Sequence, residues 1–436
     1  MPWDSVSLAG RLRGGAFHLQ AREFFMSTLN ESGLRDYYAL ASSVALGYRT
    51  PSFKGLQAGI GGSFTGRIAS SDLLQPNPVS GSPNRYEKGL FDLTHPASNL
   101  IPRLEELFLR YARGANSLTV GKQSINTPFI NPQDGRMRPG FQEGAWLESR
   151  ICGNISLKAG WLWKMAPRST AGWYATGSSL GLYAQGIDES GQHSNYGGHT
   201  RSGGIGILGI TQSRPAWTWQ VWNYYVANIL NTTLLQADWT DSLPGGRAVL
   251  AGLQTTLQLP VGEGGNSNPA YRYFPTAERS LVLSARVGYR ISRVESFLNF
   301  TRITGDGRFL MPREWGREPF YTFLLRERNE GFGNLTAWVL STSWRPARER
   351  WKAEMAGGWF SLPPVTNFGW NKYEMPSYYQ VNGSLTRYFT GLLNGMNLQG
   401  LLVYKGGAGE QPYSDLKYVD NKIRMFQINL ILNYQF

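Results

Sequence analysis

The length, composition and charge of this 436-residue chain exclude a helical membrane protein and argue against an ordinary soluble one. Charged residues make up only 17%, where soluble domains carry about 25%, and aromatic residues reach 13%. The mean hydropathy is −0.32, and no apolar run approaches the roughly 18–20 residues that a spanning helix needs. The formal net charge of +13 is spread along the chain, which disfavours nucleic acid as a partner and fits a channel that attracts anions.

The single cysteine, Cys152, excludes an internal disulfide and a Cys-rich metal site, and no cofactor is predicted. The first ten residues, MPWDSVSLAG, contain no basic segment followed by an apolar stretch, so a signal peptide is not predicted. The N-terminus therefore does not decide the compartment.

Apolar and polar residues alternate with period two along many segments, which predicts strands with one apolar and one polar face. Residues 155–165, ISLKAGWLWKM, are an example, and residues 281–291 and 426–436 repeat the pattern. In chain order, the predicted strands are 15–25, 37–49, 54–66, 102–112, 116–125, 141–151, 155–165, 203–211, 216–229, 232–240, 247–259, 280–291, 294–303, 334–344, 350–361, 378–390, 395–405 and 422–436.

The lengths of the connections favour a transmembrane barrel over a sandwich or propeller. Turns after even-numbered strands are short, near Pro51, Gly114, Gly153–Asn154, Ser292–Arg293 and Asn394. Connections after odd-numbered strands are mostly long: 67–101, 126–140, 166–202, 260–279, 304–333, 361–377 and 406–421. Only the one near Asn231 is short. We therefore predict one all-β domain over 1–436, an antiparallel transmembrane β-barrel of about 18 strands with short periplasmic turns and long extracellular loops.

Aromatic residues on the apolar faces agree with this prediction, because Trp and Tyr form girdles at both membrane interfaces. They are Trp161, Trp163, Trp217, Trp219, Trp239, Trp359, Tyr379, Tyr404 and Tyr434. The last strand ends in Phe436, like the terminal strand that the outer-membrane assembly machinery recognises, so this machinery is a predicted partner. The predicted location is a bacterial outer membrane, with its lipids and lipopolysaccharide as further partners.

Basic residues on the polar faces of predicted strands suggest a column of lumen cations that guides anionic groups. A wet, mixed-charge lumen accounts for about half of them without any such role. The cations are Lys158, Lys164, Arg286, Arg290 and Lys405. Arg387 breaks the pattern, because parity places it on the lipid face, where it either snorkels or a bulge shifts the register.

No enzyme signature is found. His18, His95, His193 and His199 show no metal-site spacing, and GGSFTG at 61–66 and SGGIGILG at 202–209 are glycine-bearing strands rather than phosphate loops. Two alternatives stay open. One is a barrel enzyme of lipase or protease type that uses His18, His193 or His199, and the other is a soluble, Trp-rich carbohydrate-binding β-protein.

GKQSINTPFINPQDGRMRPGFQEGAWLESR, residues 121–150, resembles the third-loop region of the OprD-like porins, and residues 387–405 resemble a late hairpin of that family. The matching residues are Gly121, Lys122, Asn126, Thr127, Pro128, Arg136, Met137, Pro139, Gly140, Glu148 and Ser149. The resemblance implies an 18-stranded pore whose third loop, 126–141, folds into the lumen and constricts it, helped by a seventh loop at 304–333.

By the same resemblance, Arg136 is the constriction arginine, with Asn126, Asp134 and Arg138 beside it. Lys405 and Arg387 join the basic ladder, and Asp306, Glu314 and Glu318 form an opposing acidic patch. The predicted function is passive, substrate-selective diffusion of small hydrophilic, carboxylate-bearing or otherwise anionic solutes. The chain is then a monomer or a homotrimer.

Overall fold

Eighteen long strands form the wall of the molecule in the computed structural model, which describes residues 14–133, 136–346, 350–409, 413 and 415–436. The strands are β1 (Ala16–Leu29), β2 (Tyr37–Arg49), β3 (Leu56–Ser70), β4 (Leu100–Arg113), β5 (Asn116–Gln123), β6 (Phe141–Cys152), β7 (Ile155–Ala166), a short β8 (Tyr174–Ala175), β9 (Ile205–Ser213), β10 (Trp217–Val226), β11 (Leu230–Leu243), β12 (Arg247–Pro260), β13 (Ser280–Ile291), β14 (Val294–Ile303), β15 (Thr336–Trp344), β16 (Trp351–Ser361), β17 (Tyr378–Tyr388), β18 (Met396–Gly407) and β19 (Met425–Gln435). Each of the eighteen predicted strands overlaps one of these. Among the described residues, no helix is long and apolar enough to cross a membrane.

The strands form one closed antiparallel sheet. Each wall strand pairs with its sequence neighbours, and β1 closes the ring by pairing with both β2 and β19. The short β8 pairs only with the last residues of β7, at the long-loop end, and β7 otherwise pairs directly with β9. The predicted barrel of 18 strands, with long loops at one end and short turns at the other, is confirmed.

Two strand ends differ from the sequence-based boundaries for a backbone reason. We predicted a strand over 216–229, but β10 ends at Val226 and a tight turn follows, in which Asn228 has a φ of 64°. The last strand begins at Met425 rather than at 422, because Asn421 and Arg424 adopt φ values of 56° and 53°. Left-handed residues cannot continue a strand ladder, so both segments belong to loops.

Side chains alternate between a lipid-type outer face and a packed inner face. On β18, Leu402 is 48% exposed while its neighbours Leu401 and Val403 are buried. Exposed aromatics cluster at both ends of the outer wall. Near the long loops they are Tyr38, Trp161, Tyr225, Trp338, Trp359, Tyr379 and Tyr404, and near the short turns Phe17, Tyr111, Trp217, Tyr289, Trp344, Trp351 and Phe436. These two girdles with an apolar belt between them place the barrel in an outer membrane.

The long loops fold inward and fill much of the barrel. We number the loops at the long-loop end in chain order: the second is 71–99, the third 124–140, the fourth 167–204, the seventh 304–335, the eighth 362–377 and the ninth 408–424. The third loop crosses the lumen between two apolar clusters. Phe129 and Ile130 join the larger cluster with the seventh loop, whereas Met137 joins a smaller one with the second loop and with β1, β2, β4 and β19. The predicted inward third loop is therefore confirmed.

Phe129 is the apolar anchor of the third loop. Its buried ring lies 5.4 Å from that of Tyr224 on β10 and 6.1 and 6.3 Å from those of Phe309 and Phe320 in the seventh loop. We expect Phe129→Ala to destabilise this packing by about 3–5 kcal/mol, as for other buried Phe→Ala changes. Urea unfolding in lipid vesicles and single-channel current noise check this. Phe53→Ala, at a short turn, is the control, and equal effects of the two changes would contradict the anchoring role.

Candidate functional site: a cationic vestibule above the third loop

A cavity of about 450 Å³ opens among the inward-folded loops. Its lining comes from the second, third, fourth, seventh, eighth and ninth loops. Ten cationic side chains line it: Arg85, Lys88, Arg136, Arg168, Arg313, Arg326, Arg328, Lys372, Lys417 and Lys422. Three carboxylates, Glu327, Glu374 and Asp420, oppose them, which leaves a formal net charge of +7 among the described lining residues. We call this cavity the cationic vestibule.

Arg136 enters the vestibule from the third loop. Its guanidinium donates to the Tyr86 carbonyl of the second loop, and its own carbonyl accepts from Arg22 on β1. Gly89 makes room for the side chain, because a Cβ added there would stand 1.8 Å from Arg136 Nη1. The predicted constriction arginine is therefore held against the second loop and the β1 wall.

Arg138 has a different role. It donates from Nε to Oε1 of the buried Glu105 on β4 at 2.8 Å and pairs through Nη2 with the other oxygen. The buried Arg103 donates to the same Glu105 at 2.8 Å and to the Pro139 carbonyl at 2.7 Å. Glu105 is the extra residue of a β-bulge opposite Gly61–Gly62, which turns it inward beside Glu106. Arg138 therefore fastens the third loop to the wall.

Arg326 of the seventh loop lies on the same side of the lumen as Arg22. It donates to Gln427 at 2.9 Å and to Asn429 at 2.7 Å, both on β19, while Arg22 donates to Asn433 at 2.6 Å further along that strand. Inward-facing guanidinium groups thus follow the β1–β19 wall downward from the vestibule. Such a series offers successive charge-assisted contacts to an anion.

The seventh loop is held in the lumen by the buried carboxylate of Glu327. This carboxylate accepts three hydrogen bonds. The donors are the fully buried Lys405 of β18 at 2.7 Å, Arg85 at 2.9 Å and the Tyr86 hydroxyl at 2.7 Å. Burial alone would raise the pKa of the Glu327 carboxyl, but the charges of Arg85 and Lys405 and the hydrogen bonds lower it from 4.5 to about 2. Lys405 is therefore a paired anchor of the seventh loop.

The other predicted site residues are distributed unevenly. Lys158, Arg286 and Arg290 lie on inward faces, and each is ion-paired, with Glu148 at 3.0 Å, Asp238 at 2.8 Å and Glu295 at 2.6 Å, respectively. Asn126 is exposed at the start of the third loop, and Asp134 lies outside the described residues. The structure thus does not gather these residues around Arg136.

Two of the predicted ladder residues point outward. A β-bulge at Trp163 shifts the register of β7, so Lys164 pairs with Glu143 on the outer face instead of following Leu162 into the lumen. Arg387 keeps an unbroken register with Trp351 and also lies on the outer face, with its guanidinium 4.7 Å from that ring. The prediction that both residues belong to the lumen ladder is wrong. The bulge turns Lys164 outward, and the regular register of β17 keeps Arg387 on the outer face.

The predicted acidic patch does not face the vestibule as a charged surface. Glu314 accepts from the backbone N–H groups of Gly181 and Tyr183, and Glu318 accepts from that of Asn329. Both side chains are buried, and burial raises the pKa of both carboxyls. Asp306 is exposed at the start of the seventh loop. The carboxylates of the seventh loop therefore hold the loops together.

The chemistry of a hydrolase is not assembled by the histidines in the described part of the chain. The imidazoles of His18, His193 and His199 hydrogen-bond to neither a serine nor a carboxylate there, and His199 stacks on Tyr271 at 4.1 Å. Within the described ranges, no group of three or more His, Cys, Asp or Glu residues is placed to hold a metal ion.

Most of the vestibule cations were missed by the sequence analysis, including Arg85, Lys88, Arg313, Lys372 and Lys422. Parity arguments apply to strands, and these residues lie in loops. One signal was available, namely the dense charge of REWGREPFYTFLLRERNE at 313–330, within a loop predicted to enter the barrel.

Acidification is expected to loosen the second and seventh loops. The pKa of Glu327 is depressed in the folded state, so its contribution to stability is present above about pH 4.5 and is lost as pH falls toward 2. We expect larger current fluctuations at pH 2.5 than at pH 6, checked on single channels. Glu327→Gln, which cannot ionise, should fluctuate at pH 6 already. Equal, quiet currents from both proteins at both pH values would contradict this role.

Mild alkali is expected to weaken the anion preference of the vestibule. Burial, followed by nearby arginines, lowers the pKa of Lys372 to about 8 and that of Lys422 to about 7. Both lysines are charged at pH 6 and neutral at pH 9, so the formal charge of the lining falls by two. Reversal potentials at the two pH values check this. Lys422→Gln should reduce the change, and a selectivity independent of pH would contradict the account.

Comparison with solved structures gives the same fold over almost the whole chain. OpdK of Pseudomonas aeruginosa, solved with vanillate, matches with a TM-score of 0.72 at 14% identity, covering 98% of this chain and 99% of that one. OccAB4 of Acinetobacter baumannii matches with a TM-score of 0.73 at 12% identity, covering 97% and 98%. OccK2 (OpdF) of P. aeruginosa, in complex with glucuronate, matches with a TM-score of 0.69 at 13% identity, covering 97% and 98%.

No protein-family model matches the sequence, and neither does any curated protein. The similarity is therefore one of fold, carried by the closed 18-stranded barrel rather than by sequence identity. The structural neighbours are outer-membrane porins, which are channels and not enzymes. The resemblance noted at residues 121–150 is confirmed for the fold: the chain has the fold of an OprD-like outer-membrane porin.

Proposed function

We propose that this barrel is a substrate-selective porin for small hydrophilic solutes that carry an anionic, carboxylate-type group. The observation that carries the proposal is the cationic vestibule, with its ten cations against three carboxylates above the third loop. A cleft of one charge sign inside low-dielectric walls concentrates ions of the opposite sign and speeds their entry. The solved neighbours OpdK and OccK2 hold vanillate and glucuronate, respectively, and both of these ligands are carboxylates.

The third loop, 124–140, and the seventh loop, 304–335, are the proposed narrowing segments. An anion that enters the vestibule meets Arg136 and Arg326, and then Arg22 on the β1–β19 wall. Each guanidinium already hydrogen-bonds carbonyl or amide oxygens of the protein. The solute therefore exchanges hydration water for charge-assisted contacts without moving the arginines far, and the shared guanidinium groups keep its binding weak enough for release.

Selectivity in this mechanism comes from the excess of cationic over anionic side chains along the path. Glu327 is ion-paired with Arg85 and Lys405, and Glu314 and Glu318 accept hydrogen bonds from backbone N–H groups. Few acceptors are left in the path to bind a cation, whereas arginine donors line it. We infer that neutral and cationic analogues of a transported acid pass less readily than the acid itself.

Benzoate and benzamide test this proposal, because they share a ring and differ mainly in charge. We expect benzoate, and not benzamide, to interrupt the current of the reconstituted channel. Loss of one charge-assisted contact costs about 1.5–3 kcal/mol, so Arg136→Gln should weaken benzoate binding roughly 10–100-fold. Block kinetics in planar bilayers measure the affinity.

Two matched variants sharpen the benzoate test. Arg201→Gln removes an exposed cation away from the vestibule and should leave the affinity unchanged. Gly89→Ala keeps every charge but forces Arg136 to move, since the new Cβ would meet its Nη1, so it should weaken binding as well. Equal block by benzoate and benzamide, or equal loss in Arg136→Gln and Arg201→Gln, would refute the proposal.

A further inference from the structure

The short-turn end of the barrel carries a collar of exposed cations. Five exposed arginines lie in or directly beside four of the eight short turns, namely Arg113, Arg214, Arg293, Arg345 and Arg350, and the exposed Arg150 lies two residues before the end of β6 at a fifth turn. The other three turns have Lys54 within the turn, Arg247 directly after it and Arg387 just before it. Every short turn thus has a Lys or Arg, and we call this set the basic rim.

The basic rim has little acidic counterpart. In the described positions of the eight short turns neither Asp nor Glu occurs, and no rim cation forms an ion pair with a carboxylate of the described residues. The sequence at 347–349, outside the described residues, contains one Arg and one Glu, whose formal charges cancel. Nearby inward cations such as Arg290 and Arg49 are paired, with Glu295 and Glu106. At this end of the barrel the unmatched charge therefore lies on the basic rim and not on these neighbouring inward-facing cations.

The depth of the rim is marked by its aromatic neighbours. The exposed rings of Tyr111, Trp217, Trp344 and Trp351 form the girdle at this end of the outer wall. Trp and Tyr occupy the boundary between acyl chains and headgroups, so cations one or two residues beyond them lie at headgroup level. Arg387 shows this placement directly, since it is on the outer face with its guanidinium 4.7 Å from the Trp351 ring.

The turn between β17 and β18 adds an apolar contribution. Leu392 in this turn is fully exposed, and Leu393 beside it is 46% exposed. Exposed leucines next to cations and membrane-interface aromatics favour a lipid surface over an aqueous polyanion such as the cell wall. Arg387 lies shortly before this turn and against the Trp351 ring, so cationic, aromatic and aliphatic groups meet at one place.

We propose that the basic rim binds the headgroups of anionic phospholipids in the periplasmic leaflet of the outer membrane. The headgroup phosphate and the net negative charge of phosphatidylglycerol or a similar lipid supply the charge that the rim lacks. Basic residues near an anionic membrane surface each strengthen association about fivefold. This inference goes beyond the proposed function and does not depend on which solute the channel carries.

Native mass spectrometry of the full chain with phosphatidylglycerol and phosphatidylcholine of equal acyl chains tests the proposal. We expect at least tenfold tighter binding of phosphatidylglycerol, weakening as salt rises. The triple change Arg345→Gln, Arg350→Gln and Arg387→Gln should reduce that preference at least tenfold. The control Arg201→Gln, Arg272→Gln and Arg279→Gln removes the same charge from the extracellular loops and should leave the preference within about twofold.

Single-channel conductance and heat-modifiable gel migration show that each variant is folded. If the triple variant fails to fold, Arg113→Gln with Arg293→Gln replaces it, with at least a fivefold loss expected. Equal binding of the two lipids by the unmodified chain, or equal loss in the rim and control variants, would overturn the proposal. So would a rim variant that loses binding of soluble cell-wall fragments while keeping its preference for phosphatidylglycerol.

Discussion

The arrangement inside the barrel depends on one buried carboxylate, Glu327, which joins the seventh loop to the Arg85 region of the second loop and to Lys405 of the wall. A charge in this position costs several kcal/mol to desolvate, and only close cationic partners offset that cost. Because both partners come from elements distant in sequence, the carboxylate fixes loop positions that apolar packing alone leaves adjustable. Arg85 and Glu327 both line the vestibule, so this contact fixes part of its wall.

The same constraint explains why the vestibule carries an excess of positive charge. Loops that fold into a lumen bring charged residues with them, and each buried charge must find a partner. The carboxylates of the seventh loop find theirs in backbone N–H groups and in wall or loop cations. Arg136 and Arg326 are bound to carbonyl and amide oxygens, which satisfy hydrogen bonds without cancelling charge, whereas Arg85 and Arg313 are paired with Glu327 and Glu330. The carboxylates are therefore paired within the loops, whereas the positive charge of Arg136 and Arg326 still faces the solute path.

The sequence predicted the wall well because strand pairing has a period of two and the wall repeats it eighteen times. It predicted the third loop and Arg136 through a local resemblance. It failed where a single inserted residue, Trp163, reversed the face of Lys164, since a bulge leaves no periodic signal. It also missed the vestibule, because Arg85, Lys372 and Lys422 meet only after three loops far apart in sequence fold inward. Arg387 is the instructive exception: parity placed it correctly on the outer face, and the family resemblance did not.

In the proposed mechanism, fixed positive charge in the vestibule selects anions, and the reversal potential of single reconstituted channels in a tenfold potassium chloride gradient measures this selection. Chloride and potassium have similar mobilities, so the sign of this potential reports the charge of the path. We expect a potential of the sign set by chloride permeation at pH 6, which decreases when Arg136 and Arg326 are both replaced by Gln. A potential of the opposite sign, or one that these two changes leave untouched, would contradict it.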